Sequence, residues 1–147
     1  MKKFSFTLQK LLDYKQQLLQ KEKNFLAELR QRRDELIVEK EQTEATMLAA
    51  NAKFRELMKK GLNTNSIIMH KQYMNDLNMR IKELIGLIEA ADGRVEKQLA
   101  VVVSATQEVS TLEKLEEKQL EEYTAAFRKE EEKFIEEFVN NASYKAD

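Results

Sequence analysis

From Leu8 to Leu57 the apolar residues return at intervals of three and four, the repeat of a helix burying one stripe. A heptad frame places Leu8, Lys15, Glu22, Leu29, Leu36, Thr43, Ala50 and Leu57 at a. The d row begins Leu11, Leu18, Phe25, and a parallel e row holds Leu12, Leu19, Leu26 and later Met47 and Phe54. The stripe is therefore expected to drift from a/d toward a/e, as a 3.6-residue helix slips against a 3.5-residue repeat. Lys15 and Glu22 at a cost stability but fix register. Ser5 or Thr7 suits the N-cap.

The period breaks at Gly61-Leu62-Asn63-Thr64-Asn65-Ser66, the one place where turn-forming residues concentrate in a chain with three glycines and no proline. Gly61 after Lys59 and Lys60 reads as a helix C′ residue, and Asn63, Thr64, Asn65 and Ser66 are four candidate caps for a second helix. That helix has Ile81, Ile88, Val95, Val102, Val109, Glu116 and Tyr123 at a, and Leu84, Ala91, Gln98, Ala105, Leu112, Gln119 and Ala126 at d. Val101-Val102-Val103 has weak helix propensity, but the seam passes through it unbroken, so helix is expected there. Gly86 and Gly93 are read as marking a bend.

The predicted fold is all-α: a long two-helix antiparallel coiled-coil hairpin, its second helix longer than its first. Helix one is expected over about 5–60, the turn over 61–65, helix two over about 66–140, and a disordered tail over 141–147, all as one domain. Folding back pairs residues whose numbers sum to about 126. Residues past about 122 then overhang the N-terminus, carrying Tyr123, Phe127, Phe134, Ile135 and Phe138 among glutamates. Near the bend, Ile81, Leu84, Ile85, Leu87 and Ile88 face a polar partner segment, leaving an apolar strip for another surface.

Composition sharpens this. Charged residues make up 35% and aromatics 7%, which with a sustained 3–4 period indicates coiled coil rather than a globular core. Residues 1–60 carry 14 Lys/Arg against 9 Asp/Glu, and residues 61–147 carry 11 against 17. Arms of opposite sign favour the intramolecular hairpin, and neither is basic enough to suggest nucleic acid. No cysteine is present, so no disulfide or thiol chemistry follows. No apolar stretch follows Lys2-Lys3 as in a signal peptide, and none reaches membrane-spanning length. A soluble cytoplasmic protein is expected.

Candidate chemistry is thin. His70 is the only histidine, and without cysteine it offers no metal site. The clusters Glu116-Glu117, Glu121-Glu122 and Glu130-Glu131-Glu132 read as a solvated face, because catalytic carboxylates need a pocket that separates their pKa values. No phosphate-cradling loop or nucleophile elbow occurs. No cofactor and no small-molecule substrate is expected, and the chain is read as a non-enzyme. Met58, Met69, Met74 and Met79 gather near the bend, where pliable side chains serve either loose packing or partner binding.

The opening Phe4-Ser-Phe-Thr-Leu8-Gln-Lys-Leu11-Leu12-Asp-Tyr-Lys15 resembles the start of the flagellar export protein FliJ family. Leu112-Glu-Lys-Leu115-Glu-Glu-Lys118-Gln-Leu120-Glu-Glu-Tyr123 is similar to its second signature. His70-Lys-Gln72-Tyr73-Met-Asn-Asp-Leu77, after Gly61-Leu62, is similar to its post-turn segment. The resemblance implies a cytoplasmic coiled-coil component of the flagellar type III export apparatus, held peripherally at the inner face of the cell membrane. Its termini end would enter the hexameric export ATPase ring and promote ring assembly and hydrolysis. Another surface would contact the cytoplasmic domain of the export gate membrane protein, and unloaded export chaperones are further partners. By residue, the resemblance puts the ATPase role on Phe4, Leu8, Leu11, Leu120, Tyr123 and Phe127. The gate role falls on Tyr73, Leu77, Ile81 and Leu84. This chain has Arg80 after Met79, where some relatives carry a small residue. The alternatives are an export chaperone gripping substrate helices and a dimeric peripheral-stalk-like coiled coil.

Overall fold

The computed structural model describes residues 2–146. It contains two α-helices, α1 (Gln9–Lys60, 52 residues) and α2 (Thr64–Ala146, 83 residues), and no strand among the described residues. The fold is all-α and the second helix is the longer, as the hydrophobic period predicts. Helix continues without a break through Val101–Val103. It also includes residues 141–146, where the sequence reading expects a tail.

The turn is set by local chemistry. Gly61 adopts φ 92°, the left-handed region open to glycine, and its N–H donates to the Met58 carbonyl at 3.2 Å. Lys59 and Lys60 sit in the last turn of α1, where cations suit the helix dipole. Of the four candidate caps Asn63 is used: its Oδ1 accepts from the Ser66 N–H at 2.8 Å, and its carbonyl accepts from the Ile67 N–H at 3.1 Å. The start of α1 differs from expectation. The helix begins at Gln9 rather than near residue 5, after a turn at Thr7 and Leu8 closed by Gln9 N–H donating to the Phe6 carbonyl at 3.1 Å. Phe6 precedes the helix and is buried.

The chain divides into two compact units, to each of which both helices contribute. One is the segment Glu22–Val102, a helical hairpin around the turn. Its core holds Leu26, Leu36, Leu84, Ala91, Val95 and Val102, with Leu36, Leu84 and Ala91 in one cluster and Ile88 packed against it. The other joins the residues up to Lys21 with those from Val103 onward. Its core is Phe6, Leu12 and Val109, flanked by Phe4, Leu19, Leu112 and Leu115.

On α2 the buried residues are the predicted a and d rows: Leu84, Ala91, Val95, Gln98, Val102, Ala105 and Val109. On α1 the seam is displaced by one row. Leu12 and Leu26 of the e row are buried, while Leu11 and Phe25 of the d row are 41% and 47% exposed. The seam runs a/e from the first turn and does not drift into it. Gly86 and Gly93 have open space where a Cβ would stand, so no close packing requires them.

Polar residues on the seam pair across it. In the hairpin unit, Gln98 is buried and donates from Nε2 to both the Glu22 carboxylate and, at 3.1 Å, the Glu22 carbonyl. Arg80 donates to Glu39 at 2.7 and 3.1 Å, and Arg33 Nε lies 3.8 Å from Asp92. In the other unit, Lys15 Nζ contacts Glu108 at 2.7 Å. The paired residue numbers sum to between 119 and 125, up to seven below the antiparallel sum of about 126 expected from the sequence. Such half-buried pairs add little net energy but penalise a register slip, which would strand each charge against an apolar neighbour.

Candidate interaction surfaces

In the unit that carries the chain ends, an aromatic row is built before α1 starts. The pre-helical segment lays Phe4 against Tyr123, ring centroids 5.5 Å apart, and Tyr123 stacks on Phe127 at 6.4 Å with an interplanar angle of 25°. The Tyr123 hydroxyl donates to the Lys2 carbonyl at 2.6 Å, tying the first residues to α2. Tyr123 is thus held by the N-terminal segment and is not part of an unpartnered overhang, as the register had placed it. Leu8, Leu11 and Leu120 lie in the same unit, each between 36% and 45% exposed.

Beyond Phe127 every described side chain of α2 is exposed. Phe134, Ile135, Phe138 and Val139 present an apolar face with nothing across from it, Phe134 being 70% exposed. Spacings of seven from Phe127 to Phe134 and four on to Phe138 put these rings on one side of the helix. A shallow depression there is lined by Phe127, Glu130, Glu131, Phe134 and Ile135. Residues 128–137 carry three cations and five carboxylates, so this face is both aromatic and acidic. Sequence reasoning placed Phe134 and Phe138 in this stretch yet left them out of the candidate site. Their spacing from Phe127 is the signal that includes them.

The second set of residues separates. In the hairpin unit, Tyr73 is 48% exposed and Leu77 and Ile81 are half-buried. Leu84 is fully buried at 0%, in the cluster with Leu36, and belongs to the seam rather than to any surface patch. Arg80, between Leu77 and Leu84 in sequence, is engaged by Glu39 and Glu83, and both contacts hold its guanidinium above its ordinary pKa, that with Glu39 most. His70 is half-buried with its ring 5.8 Å from that of Phe54, a packing role.

Among the described residues no cluster of three or more His, Cys, Asp or Glu is arranged to hold a metal ion, and no helix is long and apolar enough to cross a membrane. An open groove of the hairpin unit is lined by Leu26, Arg30, Asp34, Val38, Leu99 and Val102.

Comparison with known proteins gives one result. The family model described as "Flagellar FliJ protein" matches residues 4–146. No curated protein and no solved structure matches the chain. The match takes in all but the first three residues and the last, and the chain belongs to the flagellar FliJ protein family.

Proposed function

We propose that this protein is a non-enzymatic, stalk-like component of the flagellar type III export apparatus, whose unit bearing the chain ends engages the hexameric export ATPase. Family membership supports a flagellar export role. The observation that carries the finer reading is the aromatic row Phe4–Tyr123–Phe127, continued by the uncovered Phe134 and Phe138. Apolar rings left in water at the end of a charged helix are favourable only when a partner covers them. Aromatic anchors ringed by charge are the usual energetic centre of such contacts. In this reading Leu8, Leu11 and Leu120 widen the ATPase-facing surface.

A second surface, centred on Tyr73 with Leu77 and Ile81 beside it, takes the cytoplasmic domain of the export gate membrane protein. Leu84 supports it from within the seam. Export chaperones are further partners in this reading.

The test is addition of the purified protein to its cognate export ATPase, reading ring assembly and hydrolysis rate. Stimulation by the wild type, reduced severalfold or more in Phe134→Ser/Phe138→Ser at unchanged helicity, is expected. No stimulation by the wild type, or equal stimulation by the variant, refutes the assignment.

A further inference from the structure

The bend end of the hairpin unit is basic on both of its helices. From Ala45 to Asn75 there are five cations, Lys53, Arg55, Lys59, Lys60 and Lys71, and one carboxylate, Glu56. The first 33 residues are the chain's other basic stretch, with nine cations against three carboxylates. All five cations are exposed and none takes part in an ion pair. The excess positive charge at the bend is therefore uncompensated.

Apolar side chains are exposed at the same end. Met58 is 46%, Ile68 57% and Met69 69% exposed. At about 1.5 Å rise per residue, Met58 and Ile68 lie within roughly 6–8 Å of the turn, and Lys71 about 4–5 Å further along α2 than Ile68. That is the depth over which an interfacial segment buries its apolar side chains, roughly 5–10 Å into the headgroup boundary. Lys59 and Lys60 end α1 just before the turn, and their long stems can lie along apolar surface while the ammonium groups stay with phosphates.

The geometry points to an anionic lipid surface as the occupant of this end. A helical protein partner would be met by one apolar stripe with charge along its edges. Here the exposed apolar and basic residues sit at successive positions around both helices, Met58-Lys59-Lys60 on α1 and Ile68-Met69 with Lys71 on α2, so they converge on the end and not on one side. A fluid anionic plane approached end-on satisfies every one of these positions at once. The bend of the hairpin thus seats on acidic phospholipid, with Met58 and Ile68 entering the interface and Lys59, Lys60 and Lys71 on headgroup phosphates. This goes beyond the export reading and depends on neither the ATPase nor the gate.

The experiment is vesicle flotation of the full chain with phosphatidylcholine alone and with phosphatidylcholine containing phosphatidylglycerol. It is combined with fluorescence of Ile68→Trp, the sole tryptophan in a chain that has none. Expected are flotation and a blue shift only with phosphatidylglycerol, both abolished by high salt. Each cation near an anionic surface contributes about fivefold in affinity. Lys59→Gln/Lys60→Gln/Lys71→Gln should therefore bind roughly a hundredfold more weakly, with an unchanged circular dichroism spectrum. No flotation with phosphatidylglycerol, equal binding to both vesicle types, or full binding by the triple variant overturns the proposal. Binding of soluble poly-glutamate without vesicle binding also overturns it and assigns this end to an acidic protein. Export-ATPase stimulation by the triple variant should equal the wild type, which separates failure here from failure of the export reading.

Discussion

Two adjacent leucines provide a sharp test of the seam. Leu11 and Leu12 are chemically identical, and Leu→Ala changes helix propensity little, so any difference in stability reports tertiary burial alone. Leu12 is 2% exposed and packs with Phe6 and Val109, while Leu11 is 41% exposed. Leu48, the most exposed leucine of α1 at 71%, shows the coverage that the helix itself gives. Relative to that level, packing removes nearly all the remaining accessible surface of Leu12 and less than half that of Leu11. Full burial of a leucine contributes about 1.5–3 kcal/mol, and truncation adds a cavity term. Leu12→Ala should therefore cost about 2–4 kcal/mol and Leu11→Ala about 1 kcal/mol or less. In a chain of this size 1 kcal/mol shifts Tm by roughly 2–4 °C. Thermal and guanidinium unfolding followed by circular dichroism measures both. Leu12→Ala should melt several degrees below Leu11→Ala, with similar helical signal before the transition. Equal losses, or a greater loss for Leu11→Ala, would return the d row to the seam and refute the packing described above.

Further outcomes are expected from the same assays. Gly86→Ala and Gly93→Ala meet open space and should each stabilise the helix by about 1 kcal/mol; a drop in midpoint would mean that the backbone there needs glycine. Gln98→Leu removes the donor that serves Glu22 and should cost about 1–3 kcal/mol. Glu22→Leu/Gln98→Leu should recover that loss while raising the share of oligomers in sedimentation, because the apolar seam no longer fixes its partner. The hydrogen bond and charge of Glu108 hold Lys15 above its ordinary pKa of 10.5. A raised folded value means that the pair's contribution is complete below the unfolded pKa and is lost as pH rises through the folded one. A double-mutant cycle on Lys15 and Glu108 should thus show coupling at neutral pH and low salt that declines once pH rises past 10.5.

The sequence carries the seam of α2 openly because its a and d rows are aliphatic or small while their neighbours are charged. On α1 two adjacent rows are equally apolar at the start: Leu11, Leu18, Phe25 beside Leu12, Leu19, Leu26. Local hydrophobicity cannot choose between them. The choice is made nearer the turn, where the e row continues through Met47 and Phe54 while the other meets Glu39 and Lys53. Following both rows to the bend resolves what the first three heptads leave degenerate. Burial of Phe6 and the seating of Phe4 on Tyr123 are not periodic at all, since these residues precede the helix and their contacts lie more than a hundred positions away. Leu84 looked available for a partner because the segment opposite it is polar. Leu36, from the preceding turn of α1, closes over it instead.

The pairing of α1 with α2 within one molecule underlies every surface assigned above. With no native cysteine, spin labels at Arg30→Cys and Glu96→Cys, both exposed and both in the hairpin unit, report it cleanly. Packed helices lie about 8–10 Å apart, so electron–electron distances should be short and should stay short when labelled protein is diluted with a large excess of unlabelled chain. A long distance, or a short one lost on dilution, would show that the two arms pair between molecules or not at all, and would contradict the account.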